Sequence, residues 1–441
     1  MATQGLIALE AAQEQMMQCM KCGNCQAVCP LYAETMHEGA VARGKIRLAV
    51  DVLEGKLAPS HELLDKFALC LTCKACEANC PCDVRCVDII LAARAALTEK
   101  VGLPLIKRSI YRGLKLRRMF NFGLKVGAQL QGLAMKRVDL GNQGKFRSLR
   151  LPLAGIDMRR VIPELATTPL RDLYDEFIPA YGGKAKRRVG FFTGCVMNLI
   201  YTDTGRAIIE VLRANDCDVI MPKEQHCCGA PVFIGGERAI GRDMARHNLD
   251  VFTAMDQKYH LDHIVFACGT CVTSFAESYK ELLSDDPPYR AKAETLAAKS
   301  IDANALVVTI GGLAKKLAPI PRKVTYHDSC HLARSVHVTE PPRQILRSIP
   351  GVELIEMKDA ARCCGGAGSF SLTHYPLSQQ ITSKKAENIA ATGAETVTTG
   401  CPGCRMTIED GLAQAGLRQD TVHPLALLQE SYQKAGILKK S

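Results

Sequence analysis

Apolar and polar positions change their rhythm three times along the chain. From Gly44 to Leu53 and from Asp88 to Thr98 (DIILAARAALT), apolar residues recur at helical spacing with no strand-like alternation, so residues 1–100 read as α-helical. Residues 101–150 keep the helical interval but interleave apolar with basic side chains, which predicts one or two basic amphipathic helices. Residues 151–186, punctuated by proline and glycine, read as a linker, which makes 101–186 a basic helical connector. From residue 187 short apolar runs alternate with helical stretches. RRVGFFTGC, CDVIMP and HIVFACGTC predict strands, with a helix from Thr204 to Ala214. VTYHDSC, VELIEM and ETVTTGCPGC replay that order, which predicts two duplicated parallel-sheet α/β units at 187–323 and 324–441.

Cysteine placement adds the chemistry. Cys19, Cys22, Cys25 and Cys29 stand at C-x2-C-x2-C-x3-C, closed by Pro30; Cys70, Cys73, Cys76 and Cys80 repeat the spacing, closed by Pro81. This is the bacterial-ferredoxin ligand run, in which the fourth cysteine of each set ligates the other cluster. A single run would also suit a zinc knuckle, but two identical runs leave zinc no reason for the fourth cysteines. The expectation is an α-helical ferredoxin over 1–100 with two [4Fe-4S] clusters, one on Cys19, Cys22, Cys25 and Cys80, the other on Cys70, Cys73, Cys76 and Cys29. Cys82 and Cys86, following as C-P-C-D-V-R-C, read as bystander thiols because each cluster already has four ligands.

Composition narrows the class. The chain has 441 residues and 21 cysteines; secreted disulfide scaffolds are small, whereas close cysteine spacings in a long chain point to metal. The N-terminal stretch MATQGLIALEAAQEQMMQ has no basic n-region, and no uncharged apolar run approaches a membrane span, so the expected compartment is the reducing cytoplasm. Aromatics make up 5% with no tryptophan, which argues against a base-stacking nucleic-acid binder. The net charge of +11 lies wholly in residues 101–150, where Lys107, Lys115, Lys125, Lys136, Lys145 and seven arginines face the single acid Asp139. That segment reads either as a surface for anionic lipid on the inner membrane face, or for an acidic partner, or as a connector that packs its apolar stripe on its own protein.

In each α/β repeat five cysteines fall at the ends of three different strands, where ligands of open α/β sheets bind. The first set is Cys195, Cys227, Cys228, Cys268 and Cys271; the second is Cys330, Cys363, Cys364, Cys401 and Cys404. Gly229 and Gly365, after each adjacent pair, let the backbone turn sharply while both sulfurs stay near the site. Spacing favours a metal over redox-active disulfides and leaves the metal open. His226, His327 and His331 flank these sites and could hydrogen-bond cluster sulfurs or move protons; the simpler reading has His327 and Asp328 capping the following helix. GGAG at 365–368 lacks a phosphate-cradle context, and Cys217, with no neighbouring ligand, reads as core.

The pattern C-(x31–32)-C-C-G-(x35–38)-C-x-x-C resembles the cysteine-rich CCG domain, here complete in two copies. That domain is shared by heterodisulfide reductase catalytic subunits and by the iron-sulfur subunits of glycolate oxidase, D-lactate dehydrogenase and anaerobic glycerol-3-phosphate dehydrogenase. A dicluster ferredoxin followed by two CCG domains is the order of those subunits. YHDSCHLARSVHVTEPPRQILRSIPGVELIEM and CCGGAGSFSLTHYPLS look most like the glycolate oxidase iron-sulfur subunit. The resemblance implies an α+β multidomain fold, an N-terminal α-helical dicluster ferredoxin followed by two duplicated α/β CCG domains. It implies one noncubane [4Fe-4S] cluster on each five-cysteine set, with zinc in one of them as the alternative. It also implies an electron-transfer subunit of a glycolate or D-lactate dehydrogenase, fed by FAD on a partner subunit and delivering to a quinone or a soluble carrier. No dinucleotide fingerprint, Walker loop or Ser/His/Asp set is present for substrate chemistry, so no catalytic residue is expected in this chain. The alternative implied by two intact five-cysteine sets is a heterodisulfide reductase-like subunit whose CCG clusters reduce a disulfide.

Overall fold

The computed structural model describes residues 4–138, 146–150 and 157–438, without the side chains of Arg117, Arg118 and Asn121. Asp139 and Lys145 of the basic segment, and the first part of the expected linker, lie outside the described residues. The N-terminal part is helical, as its periodicity predicts. Helices Gln4–Ala11, Ala42–Leu53, His61–Ala68 and Cys86–Val101 bury Leu9, Ile46, Phe67, Ile89, Ala93 and Leu97 in one core. Ser60 caps its helix by accepting from Leu63 N at 3.1 Å. The first helix lies so close to Cys86–Val101 that a Cβ on Gly5 would stand 2.5 Å from Ala96 N; only glycine permits this approach.

Twelve short strands follow among the described residues. They are β1 (Met135–Val138), β2 (Phe146–Leu149), β3 (Ile162–Pro163), β4 (Phe177–Ile178), β5 (Arg187–Phe192), β6 (Cys217–Ile220), β7 (His263–Phe266), β8 (Ser300–Asp302), β9 (Arg322–His327), β10 (Val352–Leu354), β11 (Thr396–Thr399) and β12 (Asp420–Val422). The first α/β unit has the order β4-β6-β5-β7-β8 and the second β10-β9-β11-β12. Every pairing in these two sheets is parallel except that of β4 with β6. The central strands β5 and β9 are buried over their last four residues, as a sheet covered by helices on both faces requires.

Two features depart from the sequence reading. Residues 177–178, within the expected linker, are the edge strand β4, tied on by Ala180 N donating to Asp218 at 2.9 Å. Two-residue strands carry no periodicity to detect. Inside the basic segment, helices Leu105–Lys115 and Arg117–Ala134 appear as expected, but β1, β2 and β3 then form a small antiparallel sheet. No helix among the described residues is long and apolar enough to cross a membrane. The two α/β units share one core, because the C-terminal helix Pro424–Lys434 lies against helix Thr202–Ala214 of the first unit. Tyr432 completes that joint, its hydroxyl donating to Gly312 O and accepting from Asn215 Nδ2 at 3.0 Å.

Candidate metal centres

The two ferredoxin runs fold alike. The residue before the second cysteine and the residue after it are left-handed in both: Lys21 and Gly23 in the first run, Thr72 and Lys74 in the second. Three of these four are not glycine, and left-handed backbone held against preference is concentrated where side chains must converge. In the first run helix Pro30–Thr35 begins at the proline, with the Cys29 sulfur accepting from Tyr32 N at 3.5 Å. Pro30 therefore starts a helix, where a missing N–H costs nothing, as well as closing the loop.

Two cysteine-lined cavities lie within this part among the described residues. One is lined by Cys19, Cys22, Cys25 and Cys80, the other by Cys29, Cys70, Cys73 and Cys76. The fourth cysteine of each run thus faces the first three of the other. Cys76 also borders the first cavity, as do Cys82 and Cys86, so these last two are adjacent to the expected ligand set rather than remote from it. Cys86 is buried and its thiol meets Cys76.

In the α/β units the five cysteines of each set gather beyond the carboxyl ends of the strands. In the first, thiol contacts run Cys195–Cys227–Cys228–Cys271–Cys268. In the second they run Cys330–Cys363–Cys364–Cys404–Cys401. The electrostatics repeat too. Contacts with Cys227 and Cys271 hold the Cys228 thiol well below its ordinary value, and contacts with Cys363 and Cys404 do the same for Cys364. By contrast burial pushes Cys217 up to about 12, as befits an inert core thiol.

The sites touch one another. The Cys73 thiol of the second ferredoxin cavity meets Cys363 of the second CCG set, and the Cys401 sulfur of that set lies 3.9 Å from Cys268 of the first. Polar bolts fix this junction. Arg334 donates to Cys73 O at 3.0 Å and to Ala361 O at 2.7 Å. His331 bridges Thr72 O and Thr270 Oγ1, each at 3.1 Å, and Lys74 pairs with Glu277 at 2.6 Å. Both ring nitrogens of His331 are therefore spent on holding three parts together. His226 is likewise engaged: its Nδ1 accepts from Cys227 N at 2.7 Å.

Sequence reasoning missed the buried cations. Lys45 is fully buried beside the second cavity, and burial lowers its pKa to about 8 against the opposing pull of Cys70 and Cys29. Lys385 is fully buried beside the second CCG set; burial again lowers it to about 8 against Cys364 and Cys363. Arg94 donates to the carbonyls of Phe67, Cys70 and Ile234. Lysine and arginine are read from sequence as solvated, and nothing short of the tertiary contacts reveals these three. Asp328 corrects an expectation: helix Cys330–Arg334 receives no side-chain cap, and Asp328 instead makes a two-pronged pair with Arg343, both bonds 2.8 Å.

The donor sets fit iron-sulfur groups: each is all thiolate at its centre, converges on a common point, and has a buried cation beside two of the four to offset anionic charge. Full loading with four-iron clusters predicts roughly 16 iron per chain, whereas structural zinc in both CCG sites predicts roughly 8 iron plus zinc. Metal analysis of anaerobically purified protein decides between them.

A helical two-cavity ferredoxin joined to tandem cysteine-rich α/β units is the architecture of a multi-cluster iron-sulfur protein. A 4Fe-4S dicluster domain model matches residues 15–84, and a cysteine-rich (CCG) domain model matches residues 189–276 and 324–409. A probable glycolate oxidase iron-sulfur subunit from Bacillus subtilis is 32% identical over 426 residues, 95% of this chain and 94% of that protein. Lactate utilization protein A from Halalkalibacterium halodurans is 31% identical over 229 residues, 52% of this chain and 91% of its own. An uncharacterized iron-sulfur protein from Methanococcus maripaludis is 29% identical over 407 residues, 91% of this chain and 70% of that protein. The chain belongs to the family of the glycolate oxidase iron-sulfur subunit, and its N-terminal part is a 4Fe-4S dicluster domain.

Proposed function

We propose that this chain is the electron-transfer subunit of an FAD-linked 2-hydroxyacid dehydrogenase complex acting on glycolate or D-lactate, with the flavin on a partner subunit. The observation that carries this reading is the unbroken succession of cysteine sets, from Cys19/Cys22/Cys25/Cys80 through Cys29/Cys70/Cys73/Cys76 and the second CCG set to the first. These four sets are the proposed ligands. Bound [4Fe-4S] clusters supply one-electron steps, which suits a two-electron flavin donor whose electrons leave singly. The protein's own part is to hold the sets in contact and to keep water from them. Cys227, Cys228, Cys271, Cys363, Cys364, Cys401 and Cys404 are all buried, which favours a relay over direct attack on a bulky disulfide substrate. The names of the relatives, a probable glycolate oxidase subunit and a lactate utilization protein, support the substrate class. The purified chain alone is expected to show no hydroxyacid turnover with a dye acceptor, and to pass electrons only when its flavoprotein partner is added. Turnover by the chain alone would overturn the division of labour.

The acceptor in this reading is a quinone or a soluble carrier, and the basic segment supports peripheral contact with an anionic membrane face. Helix Arg117–Ala134 exposes Met119, Phe122, Val126, Leu130 and Leu133 as one stripe at i, i+3, i+4 spacing. Leu105, Ile106 and Ile110 of the preceding helix are exposed as well, beside Arg108 and Arg112. The connector reading required that stripe to be packed against the protein. Tyr111 and Leu114, on the inner side, cover Cys227 of the first CCG set, so the segment sits over the last set of the succession. Cosedimentation with phosphatidylglycerol-containing vesicles, weakening as salt rises, is the expected result; binding equal to that of neutral phosphatidylcholine vesicles would sink this reading.

A further inference from the structure

The two CCG sites are duplicates in their thiols but not in what surrounds them. The last residue of the central strand stands three positions before the first cysteine of each set. In the first unit it is Phe192, buried with Phe252, Phe266 and Phe275 at ring distances of 5.0–5.8 Å. In the second it is His327, equally buried but polar, with no aromatic neighbour among the described rings.

One nitrogen of that imidazole is spoken for. Nδ1 lies 3.1 Å from Ala360 O, and a carbonyl oxygen only accepts, so Nδ1 carries the hydrogen. In the neutral ring Nε2 is then a bare lone pair. Among the described residues it has no hydrogen-bond partner, although the side chain has no exposure to solvent. A buried acceptor left unpaired forfeits its hydration without compensation, and native structures rarely leave one so. The surroundings supply one. A ring nitrogen of His327 and the sulfurs of Cys364 and Cys404 lie within 4.8 Å of one another, and with Nδ1 held by the carbonyl the free donor is Nε2.

We propose that His327 Nε2 is a metal ligand of the second CCG site, which thereby offers five thiolates and one imidazole where the first site offers five thiolates alone. A metal-bound histidine almost always donates its other N–H to a carbonyl or carboxylate, the role Ala360 O fills here. Ala360 O also accepts from Lys385 Nζ at 3.2 Å, so one carbonyl orients the ring and helps hold a cation beside the same sulfurs. Imidazole suits iron and zinc equally, so the shared chemistry is metal–imidazole coordination and the test separates the two metals.

The inference rests on the metal-binding reading of this site, and metal content is measured first so that the two can fail separately. Iron and zinc are determined on the anaerobically purified full chain labelled with 15N-histidine. If iron occupies the site, pulsed EPR of the reduced protein is expected to show a directly coordinated imidazole nitrogen; if zinc does, X-ray absorption at the zinc edge is expected to show a nitrogen in its shell. His327→Phe, which copies the first unit, is expected to abolish that nitrogen signal while the signals of the ferredoxin part stay put. A second CCG site without any metal would sink both readings. A loaded site with no nitrogen coupling in the unmutated protein would overturn this proposal alone, and that measurement does not depend on whether the variant folds.

Discussion

Replacing Cys73 by alanine is expected to remove about four of the roughly sixteen iron atoms and to stop electrons from passing between the ferredoxin part and the CCG units. Cys73 has two duties at one atom: it lines the second ferredoxin cavity and its thiol meets Cys363 across the junction. Alanine removes the sulfur and leaves the backbone anchors in place, because Arg334 grips the Cys73 carbonyl and His331 the Thr72 carbonyl. The iron of the CCG sites should therefore survive. Iron analysis, EPR of the dithionite-reduced protein and the rate of electron passage from the partner flavoprotein check the three parts of this expectation. Cys217→Ala is the control, a buried strand thiol outside every set, whose loss should leave the iron content unchanged. Full iron retention in Cys73→Ala would show that this ligand set is wrongly drawn.

The Arg343→Met variant is expected to lose about 3–5 kcal/mol of stability, read as a fall in the denaturation midpoint, with loss of metal from the second CCG site. Asp328 and Arg343 are both nearly sequestered, with side chains 8% and 10% exposed, and they join the turn before Cys330 to helix Glu340–Ser348. Methionine fills similar volume but leaves the carboxylate with no positive partner in a medium that solvates it poorly. Arg343 also covers the Tyr326 ring at 5.0 Å, so part of the loss is contact and part is charge. The pair Glu356–Arg343 contributes less, because Glu356 is 47% exposed and water competes for it. Adding Asp328→Asn to Arg343→Met should recover part of the stability, since no buried charge is then stranded. A midpoint unchanged in the single variant would mean that the carboxylate finds water or a proton at little cost.

Much of this architecture could be read before any coordinates. Cysteine spacing announces the two ferredoxin runs and their exchanged fourth ligands, because three thiolates within seven residues leave the loop few ways to fold. The alternation of strand and helix in the α/β units follows from apolar runs broken by helical stretches, and the repeat of Cys-Cys-Gly sets one unit against the other; the order of strands within each sheet does not. What stayed hidden depends on residues distant in sequence. Asp328 looked like a helix cap because an aspartate just before a helix usually is one, yet Arg343, fifteen residues on, takes both its oxygens. Lys45 and Lys385 carry no mark of burial, and the meeting of Cys73 with Cys363 exists only once the ferredoxin docks. The strand β4 is too short to have a period, so it passed for linker.

The exchange of fourth cysteines has a consequence for how the protein is made. The cavity of Cys19, Cys22 and Cys25 stays open on the side that Cys80 closes, and Cys29 waits for Cys70, Cys73 and Cys76. Neither cavity can be completed while the ribosome has delivered only the first run. The second run makes both possible within a few residues of synthesis. Since the wall against the second CCG set includes Cys363, the finished N-terminal part then waits through most of translation before the surface that receives it exists. A chain interrupted after the second run therefore presents a ferredoxin part whose docking surface does not yet exist.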